Sequence, residues 1–350
     1  MTTVLSARKG LQRVEVDLGS GPERAYVLDQ LTGSVAAGDR VVVNTTAGDL
    51  GLGTGGWHFV HWNLERETWE QPGPGHILKA RYTSLQVDVG STEEHLDAEL
   101  AGRTSIDAMP VVVAALHSQL PAIAVTIRAL RPDARIAYVM TDGAALPLAL
   151  SDLVVELRDR SLLDTTITCG HAFGGDYEAV TVFSALAIAR HVAHADVAIV
   201  VMGPGIVGTN SRLGYTGIEM GSILDATAGL GGRPIACLRA SFADPRERHQ
   251  GISHHTITTL TVATRTRAII PVPAIGGDEE RALLADLTAA GIDRRHDVET
   301  IAIPDVLELF ATHDLHISSM GRPAADDPVL FQCASAAGAR SVNELTPLVP

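Results

Sequence analysis

Hydrophobic residues follow two different patterns along the chain. Before residue 90, short segments of alternating or β-branched apolar residues are separated by glycine-containing turns, which is typical of a β-meander or small barrel. These segments are residues 11–18, 24–31, 40–46, 57–64 and 77–89. From Met109 onward, unbroken aliphatic runs alternate with stretches of helical periodicity. That alternation predicts right-handed βαβ crossovers and a parallel sheet.

Eight strand-like runs occur in the second part of the chain. They span residues 111–116, 135–140, 165–169, 196–202, 234–238, 268–272, 298–303 and 315–318. We favour a doubly wound α/β sheet with helices on both faces, and a (β/α)8 barrel is the alternative. Pro271 and Pro273 lie in or beside one strand, which suits a sheet edge better than a closed barrel.

The change of pattern also predicts a division into domains. We expect a small, barrel-like all-β domain over residues 1–90, a polar linker over residues 91–108, and an α/β domain over residues 109–350. The last of these would carry the ligand site, because parallel sheets bind ligands at the carboxyl ends of their strands.

Composition narrows the classes of partner and compartment. The formal net charge is −14, which argues against nucleic acid and against an anionic membrane surface. The three cysteines form no CxxC pair, so neither a disulfide framework nor a thiolate zinc site is expected. The N-terminus lacks the apolar region of a signal peptide, and no apolar run reaches the roughly 18 residues of a membrane span. We therefore expect a cytoplasmic protein that binds a small-molecule ligand, with a homo-oligomer as one hypothesis.

Reactive side chains collect just after the predicted strands. The candidate catalytic residues are His117, Asp142, His171, Asp176 and His254. Imidazoles and carboxylates from separate strand ends can hold a divalent metal, and His117, Asp142 and His171 are the candidates for that role. The same groups can instead act without metal, as a histidine base oriented by a carboxylate. The cofactor is therefore unknown, with a divalent metal as one hypothesis.

Each of these residues also has a purely structural interpretation. Asp142 and Asp176 precede helical stretches and are candidate N-caps, whereas His117 and His171 can satisfy buried backbone groups. Adjacent residues on a helix point about 100° apart, so His254 and His255 are not expected to face one site together. The group as a whole still favours function, because its members follow different strands.

The segment 203–208 matches the pattern G-x-G-x-x-G after a strand. Gly203, Gly205 and Gly208 would let backbone N–H groups approach an anion, with Arg212 supplying charge. A dinucleotide site is less favoured, because the following helix begins near residue 217 and no acidic residue follows at the expected distance. A glycine-rich lid or interface loop is the structural alternative. Ser319 and Arg322, after the last predicted strand, complete the candidate ligand-binding residues.

Several segments of the chain resemble those of an uncharacterised bacterial protein family, the domain of unknown function 3866 family. They are residues 79–86 (KARYTSLQ), 117–121 (HSQLP), 140–143 (MTDG), 168–176 (TCGHAFGGD) and 251–256 (GISHHT). The resemblance covers nearly the whole chain and implies a bacterial cytosolic protein. It carries no known activity, so it assigns no catalytic residue.

The residues themselves favour an enzyme acting on a small polar or phosphorylated metabolite. Hydrolysis or group transfer is the predicted reaction class, with His171 and Asp142 in acid–base or metal roles. Two alternatives remain open at this point. One is a non-catalytic ligand-sensing or scaffold protein that uses the same cleft, and the other is an NAD(P)-binding oxidoreductase.

Overall fold

The computed structural model describes residues 1–51 and 53–345, and its first part is a five-stranded sheet. In the order β1-β2-β3-β5-β4, only β3 and β5 pair in parallel. The edge strands β1 and β4 do not pair with each other in the described residues, so closure into a barrel is not confirmed. Its strands are β1 (Thr3–Arg8), β2 (Leu11–Asp17), β3 (Pro22–Val27), β4 (Val41–Asn44) and β5 (His58–Asn63), with helices α1 (Asp29–Thr32) and α2 (Thr46–Asp49).

A short segment joins this sheet to the second part of the chain. It contains an antiparallel pair, β6 (Leu78–Lys79) and β7 (Val87–Asp88), and the helices α3 (Thr92–His95) and α4 (Asp97–Leu100). Leu31, Val87 and Phe173 form one buried cluster, so apolar contacts connect all three parts of the molecule.

The second part is built on an eight-stranded sheet in which every pairing is parallel. The strand order is β11-β10-β9-β12-β8-β13-β16-β17, and its two edge strands do not meet. The fold is therefore an open α/β sheet, and the (β/α)8 alternative is wrong. Its strands are β8 (Pro110–Val113), β9 (Ile136–Met140), β10 (Thr165–Thr168), β11 (Tyr177–Glu178), β12 (Val197–Val200), β13 (Arg233–Ala236), β16 (Ile269–Pro273) and β17 (Asp297–Ile301).

Helices cover both faces of this sheet. Four pack on one face and share a core with Val112, Tyr138 and Ile199; they are α5 (Leu120–Leu130), α6 (Asp152–Asp159), α11 (Val306–Thr312) and α12 (Pro328–Asn343). Three pack on the other, against Val113 and Val200; they are α7 (Val182–His191), α8 (Glu219–Gly229) and α10 (Gly277–Ala289). A sheet covered on both faces needs continuous aliphatic strands, which is the pattern present in the sequence.

Smaller elements follow the strand ends. A hairpin of β14 (Ala240–Ser241) and β15 (Gly251–Ile252) leads into α9 (His254–Thr258), which continues as a π-helical turn over Thr259–Ala263. A second hairpin joins β18 (Ser318–Ser319) and β19 (Arg322–Pro323). None of the helices in the described residues is long and apolar enough to cross a membrane.

Two sequence predictions about this sheet need correction. The run at 315–318 is not a strand of the sheet; the eighth place belongs to β11, whose two residues are too few to give a periodic signal. The strand with Pro271 and Pro273, β16, is also not at the edge. Its only pairing with β13 is at Ile269, upstream of both prolines, so their missing N–H groups interrupt no ladder on that side.

The strand order creates a crevice at the carboxyl ends of the central strands. β9 is followed by α6 on one face, whereas its neighbour β12 is followed by α8 on the other. β8, on the other side of β12, is followed by α5 on the same face as α6. The helices that follow these neighbouring strands therefore cover opposite faces of the sheet. Open α/β sheets place their ligands at such a point, in the crevice at the carboxyl ends of the strands.

Candidate functional site

Two adjoining cavities open at this carboxyl edge. The first, which we call the basic cavity, has a volume of about 290 Å³ and is lined by residues 206–209, Arg239, Arg246, Arg248, His249, His255 and Met320. The second, the serine cavity, has a volume of about 330 Å³ and is lined by Leu116, His117, Ser118, Leu153, residues 204–206 and residues 318–320. Because Ile206 and Met320 line both, the two cavities form one cleft.

Arg239 is the central cation of the basic cavity. It follows β13, is only 6% exposed, and donates from Nη1 to His255 Nδ1 at 3.3 Å. No carboxylate of the described residues lies within ion-pair distance of it, and the nearby Asp244 is held by Arg246 at 2.7 Å and Arg322 at 3.4 Å. Burial is the main cause that lowers the pKa of Arg239 to about 10, and the charge of Arg246 lowers it further. The guanidinium is thus buried and forms no ion pair in the described part of the chain, although the charge of the nearby Asp244 acts to raise its pKa.

Three histidines adjoin this arginine. The ring centroids of His254 and His255 lie 4.2 Å apart, and His249 lies 5.1 Å from the first and 5.0 Å from the second. The expectation that His254 and His255 do not face one site is therefore wrong. The helix α9 begins at His254, and the loop before it brings His249 against both rings.

The nitrogens of these histidines are unevenly satisfied. His249 Nδ1 contacts Ser253 Oγ at 2.7 Å, whereas Nε2 of His254 and of His255 are buried and find no hydrogen-bond partner within residues 1–51 and 53–345. Burial, reinforced by the neighbouring arginines, lowers the pKa of His249 and of His255 to about 3. Both imidazoles are therefore neutral at physiological pH, and the contact from Arg239 places the proton of His255 on Nε2.

The glycine loop approaches the same histidines. An isolated β-bridge joins Gly208 to Tyr215, and the Tyr215 ring stacks on His255 with centroids 3.8 Å apart. A side chain at position 208 would place its Cβ 3.0 Å from Tyr215 Cβ and 3.3 Å from His255 Cε1, so glycine permits this close approach. Gly203 is buried at the end of β12, and Gly205 adopts φ +101°.

The remainder of this loop does not form a dinucleotide motif. Arg212 is exposed, and its charge contributes to the lowered pKa of His254, after burial, Arg248 and Arg239. The helix α8 begins at Glu219, well beyond Gly208, so no helix N-terminus follows the glycines directly. A pyrophosphate bound as in a dinucleotide fold would need that N-terminus at the loop.

His117 lines the serine cavity with both ring nitrogens engaged. Nδ1 lies 3.2 Å from the Met202 carbonyl oxygen and Nε2 lies 2.7 Å from Ser151 Oγ. These contacts indicate that Nδ1–H donates to Met202 and that Nε2 accepts from the Ser151 hydroxyl. Burial lowers the pKa of His117 to about 4. Beside it, Ser118 Oγ and Ser319 Oγ share a hydrogen bond of 2.8 Å, so the predicted Ser319 does lie in the cleft.

Asp142 and His171 meet through the backbone. Asp142 Oδ2 accepts from the His171 backbone N–H at 2.9 Å, and His171 Nδ1 accepts from the Ala80 N–H at 3.1 Å. The three metal candidates His117, Asp142 and His171 do not form a cluster of ligand atoms among the described residues; the one such group of three is His249, His254 and His255. The predicted location of a metal is therefore corrected.

Asp176 and Arg322 serve structural networks. Asp176 forms an ion pair with Arg158 and accepts from the Thr166 N–H at 2.9 Å, beside the start of β10 and away from the carboxyl edge. Its predicted catalytic role is not supported, and it caps no helix. Arg322 pairs with Asp327 at 2.9 Å, so its charge is compensated within the protein.

Glu219 is a titratable residue near the end of β9 that the sequence analysis did not name. It stands in the first turn of α8, where the Thr141 hydroxyl donates to its carboxylate, and a Cβ at Gly143 would meet that carboxylate at 2.9 Å. Burial raises the pKa of Glu219 to about 7, and the charge of Asp142 raises it as well. The signal in the sequence was an acidic residue beginning the helix after the glycine loop.

The residues of the basic cavity were also missed as a group. Arg246, Arg248 and His249 fall within four positions of one loop, a local concentration of cationic and imidazole side chains in an acidic chain. That concentration was the available signal. These three side chains form a cavity only together with Arg239 and the glycine loop, which follow other strands.

Comparison with known proteins adds a family but no activity. Neither the curated proteins nor the solved structures contain a match to this chain. Residues 24–338 match the model of a family described as a protein of unknown function (DUF3866). Since the match spans most of the sequence, including every residue of the cleft, this chain belongs to the DUF3866 family.

Proposed function

We propose that this protein is an enzyme, a hydrolase or group transferase, that binds a phosphorylated small metabolite in the cleft at the carboxyl edge of its sheet. The phosphate would occupy the basic cavity. The remainder of the metabolite would extend into the serine cavity. The two cavities adjoin, because Ile206 and Met320 line both of them.

The observation that carries this proposal is the uncompensated charge of Arg239. A buried charge without a partner is strongly unfavourable, so proteins pair such groups or leave them for a ligand. Arg239 is 6% exposed and has no ion-pair partner among the described residues. A bound phosphate would supply the missing anion, and a guanidinium matches its oxygens through two parallel hydrogen bonds.

The other groups of the basic cavity support the same ligand. Arg246 and Arg248 line the cavity with Arg239, and they add positive charge to it. His255 offers a buried Nε2 with no hydrogen-bond partner, which as a neutral N–H donor suits an oxyanion. Because position 208 is a glycine, no side chain of that residue covers the His255 ring.

His117 lines the serine cavity, and Glu219 lies by the loop that follows β9. The low pKa of His117 leaves its ring neutral, with Nε2 accepting from the Ser151 hydroxyl. Glu219 belongs to the neighbouring strand end: Thr141 holds its carboxylate, and Ala145 of the same loop donates to Pro204, which lines the cavity. A carboxyl group with a pKa near the working pH suits general acid–base catalysis.

Calorimetry with inorganic phosphate and pyrophosphate tests the binding step. We expect Arg239→Met to weaken phosphate binding by about tenfold or more, the effect of removing about 1.4 kcal/mol or more of interaction. The matched control is Arg103→Met, which removes the same charge from an exposed position of the chain and should leave binding unchanged. Equal losses in both variants would reduce the effect to net charge and contradict the proposal.

Phosphate release from a panel of phosphomonoesters tests the catalytic step. We expect turnover of at least one ester by the unmodified protein and its loss in Arg239→Met. Binding of several esters without turnover of any would contradict an enzyme and favour a ligand-sensing protein.

A further inference from the structure

We propose that His249, His254 and His255 bind a divalent transition metal such as Zn²⁺ beside the basic cavity. This inference rests on the proposed function and deepens it, because the metal would take the place of the His255 Nε2–H donor and share the phosphate with Arg239. It places the metal on three histidines, of which the sequence analysis named His254 alone in its His/carboxylate group.

The three imidazoles are already gathered. One nitrogen from each lies within 4.8 Å of one from each of the others. Zn²⁺ holds imidazole nitrogens at about 2.0–2.1 Å in a tetrahedral arrangement, so ligand nitrogens stand about 3.3 Å apart. Small movements of the three rings would therefore close the site. Three protein ligands would leave the fourth position open for water or substrate.

Unsatisfied nitrogens point to a missing partner. Nε2 of His254 and Nε2 of His255 are buried and make no hydrogen bond with any residue that the structure describes, and His255 as a residue is only 7% exposed. Buried polar atoms in native proteins almost always have a partner, so two adjacent exceptions call for an explanation. A metal ion between the rings would satisfy both at once.

The surrounding structure holds the third ligand in place. Ser253 is fully buried, contacts His249 Nδ1 at 2.7 Å and also accepts from the His255 backbone N–H. A partner on one ring nitrogen that fixes the other toward the ion is the usual support of a metal-binding histidine. In the β14–β15 hairpin, Ser241 pairs with Gly251 and so fixes the chain between His249 and His254.

Charge determines when the metal would bind. Arg239, Arg246 and Arg248 line the basic cavity together with His249 and His255, so a lone dication would meet repulsion. In addition, a metal on His255 Nε2 requires the proton on Nδ1, which now accepts from Arg239. Phosphate would remove both obstacles, because it compensates the arginines and draws the Arg239 guanidinium toward itself. Metal and phosphate should therefore bind cooperatively, each tightening the other.

The test uses the full chain, stripped of metal by a chelator and titrated with Zn²⁺ against a competing chromophoric chelator, with and without inorganic phosphate. We expect one Zn²⁺ per chain, tighter binding in phosphate, and a loss of affinity of at least about tenfold in His254→Ala. His61→Ala, an exposed histidine of β5, should behave as the unmodified protein.

A second variant separates ligation from folding. His254→Cys keeps a zinc ligand at the same position and should retain most of the affinity, whereas His254→Ala should not. Circular dichroism of both variants checks that the fold is intact. Equal Zn²⁺ affinity in His254→Ala and the unmodified protein, or no stoichiometric Zn²⁺ at all, overturns the metal site.

The phosphate arm distinguishes this proposal from the one on which it rests. Phosphate binding by the metal-free protein, lost in Arg239→Met, would support the anion site even if Zn²⁺ failed to bind, and the metal proposal alone would then be wrong. Stoichiometric Zn²⁺ binding that phosphate does not affect would support the metal site and contradict the cooperativity and the shared ligand.

Discussion

Glu219 illustrates how a single residue acquires its properties from its surroundings. Its carboxyl group is half-buried beside Thr141 and Asp142, and desolvation raises its pKa to about 7. A carboxyl group whose pKa is raised in the folded state binds its proton more tightly there than in the unfolded chain. The contribution of Glu219 to stability is therefore greatest below about pH 4.5, falls as the pH rises towards 7, and changes no further above that.

Replacing Glu219 by Gln should remove this pH dependence. Gln stays neutral and can still accept from Thr141. We therefore expect the difference in unfolding free energy between Glu219→Gln and the unmodified protein to rise by about 1–3 kcal/mol, in favour of the variant, from pH 5 to pH 8. Urea denaturation at the two pH values measures the difference. The exposed Glu67→Gln serves as the control. A gain that is the same at both pH values would mean that Glu219 does not titrate in this range.

Contacts between individual side chains were the features least predictable from the sequence. Types of side chain at strand ends were predictable, and His117, Ser319 and His254 do lie in or beside the cleft. Which side chains meet was not, because a contact such as Arg239 with His255 depends on loop conformations that have no periodic signal. Asp176 shows the opposite error, since it has a reactive group but is held in an ion pair with Arg158.

At the scale of elements, one buried ion pair joins the short β6 strand to the large sheet. Lys79 is 1% exposed, and its Nζ donates to Glu178 Oε2 at 2.8 Å and to the carbonyl oxygens of Thr168 and Ala172. Glu178 lies on β11 and also accepts from the Thr168 hydroxyl at 2.7 Å. One ammonium thus connects β6 to the ends of β10 and β11.

Removing that ammonium should be costly. We expect Lys79→Met to lower the unfolding free energy by about 3–5 kcal/mol, because it leaves the Glu178 carboxylate buried without its cation. Chemical denaturation measures the loss, and the exposed Lys9→Met is the matched control. Adding Glu178→Gln to Lys79→Met should recover part of it. A loss no larger than that of Lys9→Met would show that the pair does not hold these elements together.

Elements with a strong periodic or aliphatic pattern were predictable. β9, β10 and β12 lie within predicted runs, and β8 and β13 each begin one residue before theirs, because strands covered on both faces consist of consecutive apolar residues. β11 was missed since its two residues, Tyr177 and Glu178, carry no pattern, and its polar residue is satisfied by Lys79 from a distant segment.

The charge of the whole molecule contrasts with that of its cleft. The chain carries a formal net charge of −14, yet arginines line the basic cavity. Phosphate is therefore attracted locally and repelled by the remainder of the protein. Both effects are screened by salt, since the Debye length shortens from about 10 Å at 0.1 M to about 3 Å at 1 M.

Phosphate affinity should consequently depend on ionic strength. Because the attraction acts at close range and the repulsion is spread over the surface, we expect a several-fold weakening between about 0.1 M and 1 M salt. Calorimetry in sodium chloride, repeated in a salt of a larger organic anion, separates screening from competition by chloride. An affinity that rises with salt would mean that repulsion by the net negative charge is stronger than attraction by the arginines of the cleft.

At this scale the sequence predicted the class of fold and the edge at which side chains gather, and it could not predict the strand order. The order β12-β8-β13 brings together loops that are far apart in the chain, and it sets the glycine loop against Arg239 and the three histidines. Strand order depends on crossover packing between helices, which local patterns do not encode.

An oxyanion is expected to occupy the basic cavity opposite Arg239. Anomalous diffraction from crystals soaked in tungstate, a heavy analogue of phosphate, would locate it. We predict one dominant peak within hydrogen-bond distance of the Arg239 guanidinium, and its disappearance in Arg239→Met crystals. A cavity without tungstate, in crystals where Arg239 forms an ion pair with a carboxylate of the protein, would contradict the account.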